Sequence, residues 1–154
     1  MTNPIKRSET LKPLSRDHHH GLLLCWKIRQ GINLQVETER IKSYCDWFWK
    51  HHLEEHFQVE EKYLFPILGN DHPMIKQAKS EHRRLKRLFE NSQDPEKSIR
   101  RIEEELEKHI RFEERSLFNE IQQQISESQL QKLEIHHMSE PLPDWDDEFW
   151  LRKK

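Results

Sequence analysis

HFQVEEKYLF, residues 56–65, returns as HIRFEERSLF, residues 109–118. At that offset His56, Glu60, Glu61, Leu64 and Phe65 align with His109, Glu113, Glu114, Leu117 and Phe118. Each copy carries H-x-x-x-E. Residues four apart on an α-helix stand one above the other on the same face. Each copy thus directs an imidazole and a carboxylate to one place, and two such helices facing each other form a transition-metal site.

Two shorter segments belong to the same pattern. Asp17-His18 and Glu81-His82 are acidic-His pairs, each followed by a leucine-rich run. The chain then reads His, H-x-x-x-E, His, H-x-x-x-E. Four inward helices bearing four His and two Glu suit a dinuclear centre. Mixed imidazole and carboxylate ligands are accepted by Fe and Mn, and helix-bundle cores commonly house such pairs.

The periodicity gives four long helices. The first is expected from an N-cap at Ser15 to about Gln30, with Gly31 as its stop and Asp17 in the first turn, favourable to the helix dipole. Its stripe is Leu14, His18, Gly21, Cys25, Ile28 and Ile32. The second starts near Val36–Thr38 and passes through Ile41, Cys45, Phe48, His52, His56, Glu60 and Tyr63. Pro66 and Gly69-Asn70-Asp71 end it. The third, capped by Asp71 with Pro73 in its first turn, carries Ile75, Ala78, His82, Leu85 and Phe89. Asn91–Pro95 is the next break. The fourth carries Ile99, Ile102, Leu106, His109, Glu113, Leu117 and Ile121. Its middle is polar where the stripe should be apolar, and a buried carboxylate must be paired, protonated or metal-bound. Ser126 opens a short fifth helix, with Gln129 in capping-box position. The tail SEPLPDWDDEFWLRKK, residues 139–154, brings aromatics that latch onto the bundle or meet a partner protein.

Composition fits this reading. Only 3 Gly in 154 residues leave little turn punctuation. Hydrophobic residues at 33% against 35% charged, and a mean hydropathy of −1.07, imply a modest core that metal ligation would reinforce. Disorder is the alternative at such polarity, but five Trp, seven Phe and regular stripes argue against it. The net charge of −2 points to neither nucleic acid nor an anionic membrane. No apolar run approaches transmembrane length, no signal-peptide core opens the chain, and Cys25 and Cys45 have no Zn or redox spacing, so a cytoplasmic location is expected.

At LSRDHHHGLL, HFQVEEKYLFP, KSEHRRL and HIRFEERSLF the chain resembles the hemerythrin-like, or HHE cation-binding, family. The motifs span roughly residues 14–121. The resemblance implies an all-α, up-down-up-down four-helix bundle, with a short fifth helix and C-terminal tail here. It implies two non-haem Fe ions, with Zn or Mn as substitutes, on His18, His56, Glu60, His82, His109 and Glu113, the two Glu spanning the metals. The domain layout expected is an N-terminal arm over 1–13, the bundle over 14–125, and the C-terminal helix and tail over 126–154.

Two departures matter. The oxygen carriers of the family place two His one turn apart on the third helix, whereas Ala78 and Lys86 hold those positions beside His82. Their fourth-helix motif ends in Asp five residues on, whereas here it is Glu at four. One coordination position is therefore expected to stay open to water, peroxide or O2. His52, one turn before His56, is the alternative for that gap; a histidine hydrogen-bonded in the bundle end is the simpler reading.

His19 and His20 lie about 100° and 200° round the helix from His18, facing solvent or a ligand's outer side. His51, His72, His136 and His137 read as surface or capping residues. Glu61 and Glu114 are solvated or orient a ligand His. Cys25 reads as a small buried residue, with a redox role as the alternative.

The function expected is a diiron protein that binds or senses O2, or another small diatomic or anionic ligand, or that handles iron. A diiron oxidase or peroxidase-like enzyme on the same site is the second reading, separated by turnover with an electron donor. An interaction module with a structural metal site is the third, separated by partner binding without metal.

Overall fold

The protein is all-helical in a computed structural model that describes residues 6–91, 93–133 and 143–152. Helix α1 is Lys12–Asn33. Helix α2, residues 38–68, is one rod with π-helical turns at Trp49–Leu53 and Glu60–Leu64. Helix α3 is Pro73–Glu90. Helix α4, residues 95–124, has a π-helical turn at Glu113–Leu117, and α5 is Glu127–Lys132.

The π turns have a cause in the sequence. Phe48, His52, His56, Glu60 and Leu64 are all buried and spaced by four. Four residues of α-helix turn about 400°, so this series would drift about 160° and carry its last members out of the core. Switching to i→i+5 bonds widens the turn and absorbs the drift. The same happens at His109, Glu113, Leu117 and Ile121, all buried. It also corrects the expected stripe: Leu64 is inside, and Tyr63 is only partly buried.

Several expected boundaries move. Ser15 is not the cap of α1, because the helix starts at Lys12 with Pro13 in its first turn and no side-chain cap. The Ser15 hydroxyl instead donates to the Glu114 carboxylate at 2.9 Å. Gly31 does not end α1. The helix continues to Asn33, and the chain turns through Gln35 at φ 58°. Pro66 does not end α2, since it follows the second π turn and the helix runs on to Leu68 before Gly69 turns at φ 89°. The cap of α3 is His72, whose Nδ1 accepts from the Met74 amide at 3.1 Å, rather than Asp71. Asp94 caps α4, and the Ser126–Gln129 capping box of α5 is present as expected. His136, His137 and residues 139–142 of the tail lie outside the described residues.

Two apolar clusters sandwich one polar layer. One holds Cys25, Ile28, Phe48, Phe57, Leu85 and Leu106 among others. The other holds Leu14, Leu64, Phe65, Ile75, Leu117 and Phe118 among others. Helix α1 runs from the second cluster to the first, α2 returns, α3 repeats the course of α1, and α4 that of α2. Cys25 and Cys45 are buried free thiols. Burial pushes the Cys25 thiol up to about 12, so it packs as an un-ionised group at neutral pH.

Gly31 is needed for its size. A Cβ there would stand 2.8 Å from Ile41 Cδ1 and 3.0 Å from Phe149 Cδ1. Phe149 is the buried residue of the described part of the tail, edge-on to Tyr44, and Trp145 and Trp150 pack on the same tyrosine. The described part of the tail therefore latches onto the helices. Gly31→Ala is expected to destabilise by about 1–3 kcal/mol through overpacking. That outweighs alanine's helix preference of about 1 kcal/mol. Tryptophan emission should shift red as the tail loosens; unchanged stability and emission would contradict the tight fit.

Candidate metal centre

The polar layer contains Asp17, His18, His56, Glu60, His82, His109 and Glu113, all buried. The four Nε2 atoms converge on the two inner carboxylates. Glu60 stands 3.3 Å from His56, 3.2 Å from His82 and 3.6 Å from His18. Glu113 stands 2.9 Å from His18, 3.3 Å from His109 and 3.9 Å from His82. The six expected residues thus fall into two overlapping groups. His18, His56, Glu60 and Glu113 form one and Glu60, His82, His109 and Glu113 the other, each with donor atoms within 4.8 Å of one another. Both glutamates belong to both groups.

Three observations fit this layer to cations. Glu60 Oε1 and Oε2, His82 Nε2, His109 Nε2 and Glu113 Oε2 are buried with no hydrogen-bond partner among the described residues. Orphaned buried polar atoms are costly and call for something between them. The Nε2 atoms of His18 and His56 are 3.0 Å apart. That is the separation of two ligands on one ion with bonds of about 2.1 Å at roughly right angles. Finally, imidazole nitrogen with carboxylate oxygen is the donor set that Fe, Mn and Zn accept.

A second circle of carboxylates holds the rings from outside. His56 Nδ1 donates to Asp17 at 3.0 Å, and His82 Nδ1 to Glu61 at 3.0 Å. His109 Nδ1 donates to Glu81 at 2.7 Å, and His18 Nδ1 to Glu114 at 2.8 Å. The circle is closed: an acid of each helix grips the imidazole of the next, α1 to α2, α2 to α3, α3 to α4 and α4 to α1. A carboxylate only accepts, so each ring donates an Nδ1 proton outward, which leaves Nε2 as the nitrogen that would offer its lone pair to a bound cation. Glu61 and Glu114 therefore hold an imidazole of the layer in orientation rather than standing solvated. Asp17 and Glu81 share that role, which sequence reasoning missed. Their signal was the acid standing directly before His18 and before His82.

Charge reinforces the layer. Burial works against protonating His18, yet hydrogen bonds to Glu113 and Glu114, with the Glu60 carboxylate 3.6 Å away, hold its pKa well above the ordinary value. Burial likewise opposes protonation of His56 and His109, but Glu60 and Glu113 raise them to about 9 and about 10. Burial would raise Glu60, but the facing imidazoles hold it well below the usual carboxylate range. Without cations the layer is thus a proton-rich ion-pair cluster, and metal must displace protons to bind.

Apolar rings close the layer. Phe118 stacks on His18 at 5.2 Å, and Phe57 and Phe65 stack on His82 at 3.8 Å and 5.4 Å. His52 lies outside the two donor groups, its Nε2 3.6 Å from Asp17 Oδ1 and its ring against Phe48 and His20. His19 is exposed and His20 half-buried.

Asp17→Asn is expected to weaken metal binding about 10–100-fold, the usual cost of losing a ligand's outer partner. Glu61→Gln should cost less, since the Glu61 side chain is 43% exposed and water can take its place. Competitive metal titration measures both; equal losses would contradict the ranking by burial.

Residues 10–98 match the family described as hemerythrin HHE cation binding domain. The matched stretch takes in His18, His56, Glu60 and His82 and stops before His109 and Glu113. No curated protein and no solved structure matches the chain. With more than half of its length matched, the chain belongs to the hemerythrin HHE cation-binding family.

Proposed function

We propose that this protein is a non-haem diiron protein in which an up-down-up-down four-helix bundle, residues 14–125, holds two ions for binding or sensing O2 or for handling iron. The alternating order in which α1 to α4 cross the two apolar clusters supports the up-down course. The observation that carries the reading is the pair of donor groups sharing Glu60 and Glu113. One ion would lie with His18 and His56 and the other with His82 and His109, with the glutamates common to both. Six donors divided this way exceed what one tetrahedral ion uses.

Iron in this setting supplies electrons and a coordination position for a small ligand. The chain does the rest. Its four outer carboxylates fix the imidazole tautomers, and Phe57, Phe65 and Phe118 keep water from the layer. Ala78, fully buried, and Lys86, exposed, add no donor beside His82. That favours a sensor or iron handler over a dedicated O2 carrier.

The test is elemental analysis with optical spectra of anaerobically reduced protein before and after O2. Close to two transition metals per chain are expected, iron preferred, with zinc entering in overexpressed protein because affinity orders favour it over Fe(II). Air should oxidise the reduced protein irreversibly. Protein without metal at His56, His82 and His109 would end the reading. A form that loads and releases O2 over many cycles would restore the carrier.

A further inference from the structure

A cleft of about 240 Å³ opens between α2 and α3, with Trp49, Phe57, Glu61, His82, Arg83 and Lys86 in its lining. Its lining includes one of the converging imidazoles, His82, together with the outer carboxylate that holds it, Glu61. The wider groove between α3 and α4, about 800 Å³, ends at Glu81, which hydrogen-bonds the far side of His109. On the α1–α4 side His18 is backed by Glu114, itself held by the Ser15 hydroxyl and flanked by Arg7 at 3.8 Å.

Phe57 lines the cleft and covers a face of the His82 imidazole. Phe57 is 4% exposed. Its ring lies flat on His82 at 3.8 Å and 8°, with edge contacts to His109 at 5.5 Å and Trp49 at 5.7 Å. It rides on Glu54–Val59, a short α segment between the two π-helical turns of α2. Backbone bonding changes register on both sides of it, a feature frequent at functional sites. The mouth carries Arg83 and Lys86 against Glu54 and Glu61, so it applies no net charge selection. A passage opened by one aromatic ring and neutral at its mouth admits small uncharged molecules of diatomic size.

We propose that the α2–α3 cleft is the route by which small uncharged molecules reach the centre, and that the Phe57 ring is its gate. This rests on the diiron reading, but the gate can be tested without metal. Metal-free wild-type, Phe57→Leu and Phe57→Trp proteins are crystallised and pressurised with xenon. Xenon should occupy the cleft beside residue 57 in wild type, more fully in Phe57→Leu, and not in Phe57→Trp. Iron-loaded samples of the same proteins are then mixed with nitric oxide in stopped flow. Association should rise about tenfold in Phe57→Leu and fall about tenfold in Phe57→Trp at unchanged iron content. Arg84→Ala, in the other groove, should leave it unchanged. Xenon found only elsewhere, or one association rate for all Phe57 variants at full iron content, overturns the gate. Failure of every sample, wild type included, to hold iron would instead strike the diiron reading, and the xenon result would still decide the route.

Discussion

Replacing Glu60 by alanine should strip the protein of metal and lower its melting temperature by roughly 10 °C, more than an exchange at any outer carboxylate. The Glu60 carboxylate faces His18, His56 and His82 at 3.2–3.6 Å inside a layer closed to water. Metal-free, it neutralises imidazoles that carry protons at pH 7, His56 among them with a pKa of about 9. Removing one partner of such a pair leaves an uncompensated buried charge, at a cost of about 3–5 kcal/mol. For a chain of this size each kcal/mol is worth about 2–4 °C. Metal-loaded, the same change removes a carboxylate common to both donor groups and exposes two cations to each other's repulsion. Glu113→Ala should behave alike, and His56→Ala and His109→Ala should lower metal content. Glu61→Ala should cost only a degree or two, because Glu61 stands at the outer edge. Calorimetry with elemental analysis decides it; matching losses for Glu60 and Glu61 would mean that the inner and outer faces are wrongly assigned.

Metal binding should release about three protons per chain at pH 7, from His18, His56 and His109, and tighten steeply as pH rises towards 9 and 10. The free imidazole value is 6.5, and in the folded metal-free protein His56 and His109 stand at about 9 and about 10. Their pairing with Glu60 and Glu113 therefore stabilises the metal-free fold fully below about pH 6.5 and is lost as pH climbs through 9 and 10. Glu60 is depressed from 4.5, so its share is present above that value and disappears on strong acidification. The metal-bound form runs the other way, because ions compete with those same protons. The gap in melting temperature between loaded and chelator-treated protein should widen from pH 6 to pH 9. Acid should release the metals together, and calorimetric titration in buffers of different ionisation enthalpy counts the protons. A gap that narrows with pH, or chelated protein as stable as loaded protein at pH 9, would contradict this.

Much of the layer is legible in the sequence because His and Glu interrupt otherwise apolar stripes. Every stripe residue of α3 and α4, from Ile75 to Phe89 and from Ile99 to Ile121, is buried. Periodicity puts His18, His56, Glu60, His82, His109 and Glu113 on inner faces, and the structure brings their donor atoms together. The failures are local. A regular α period points to Tyr63 rather than Leu64, across a stretch whose spacing of four needs wider turns. Gly31 and Ser15 look like punctuation, although their roles are tertiary: Gly31 makes room for Ile41 and Phe149, and Ser15 holds Glu114. Asp17 reads as a helix-dipole residue. Its real partner, His56, is 39 positions away, and only assembly of α1 against α2 reveals it.

The closed circle of acids also sets an electrical balance. Glu60 and Glu113 inside, with Asp17, Glu61, Glu81 and Glu114 around them, make six carboxylates about four imidazoles, which bind cations only when neutral. Two trivalent ions would bring the assembly to neutrality, whereas two divalent ions would leave it two charges short. In a layer of low polarity an uncompensated charge is expensive, so with iron bound the protein's own acids would favour the oxidised state. Solvent softens the outer share, since the Glu61, Glu81 and Glu114 side chains are about one-third or more exposed. Exchanging Glu81 and Glu114 for glutamine keeps a hydrogen-bond acceptor while deleting two negative charges. The reduction potential of the iron-loaded protein should then move upward, and a potential that stayed put would show that those acids act by position alone.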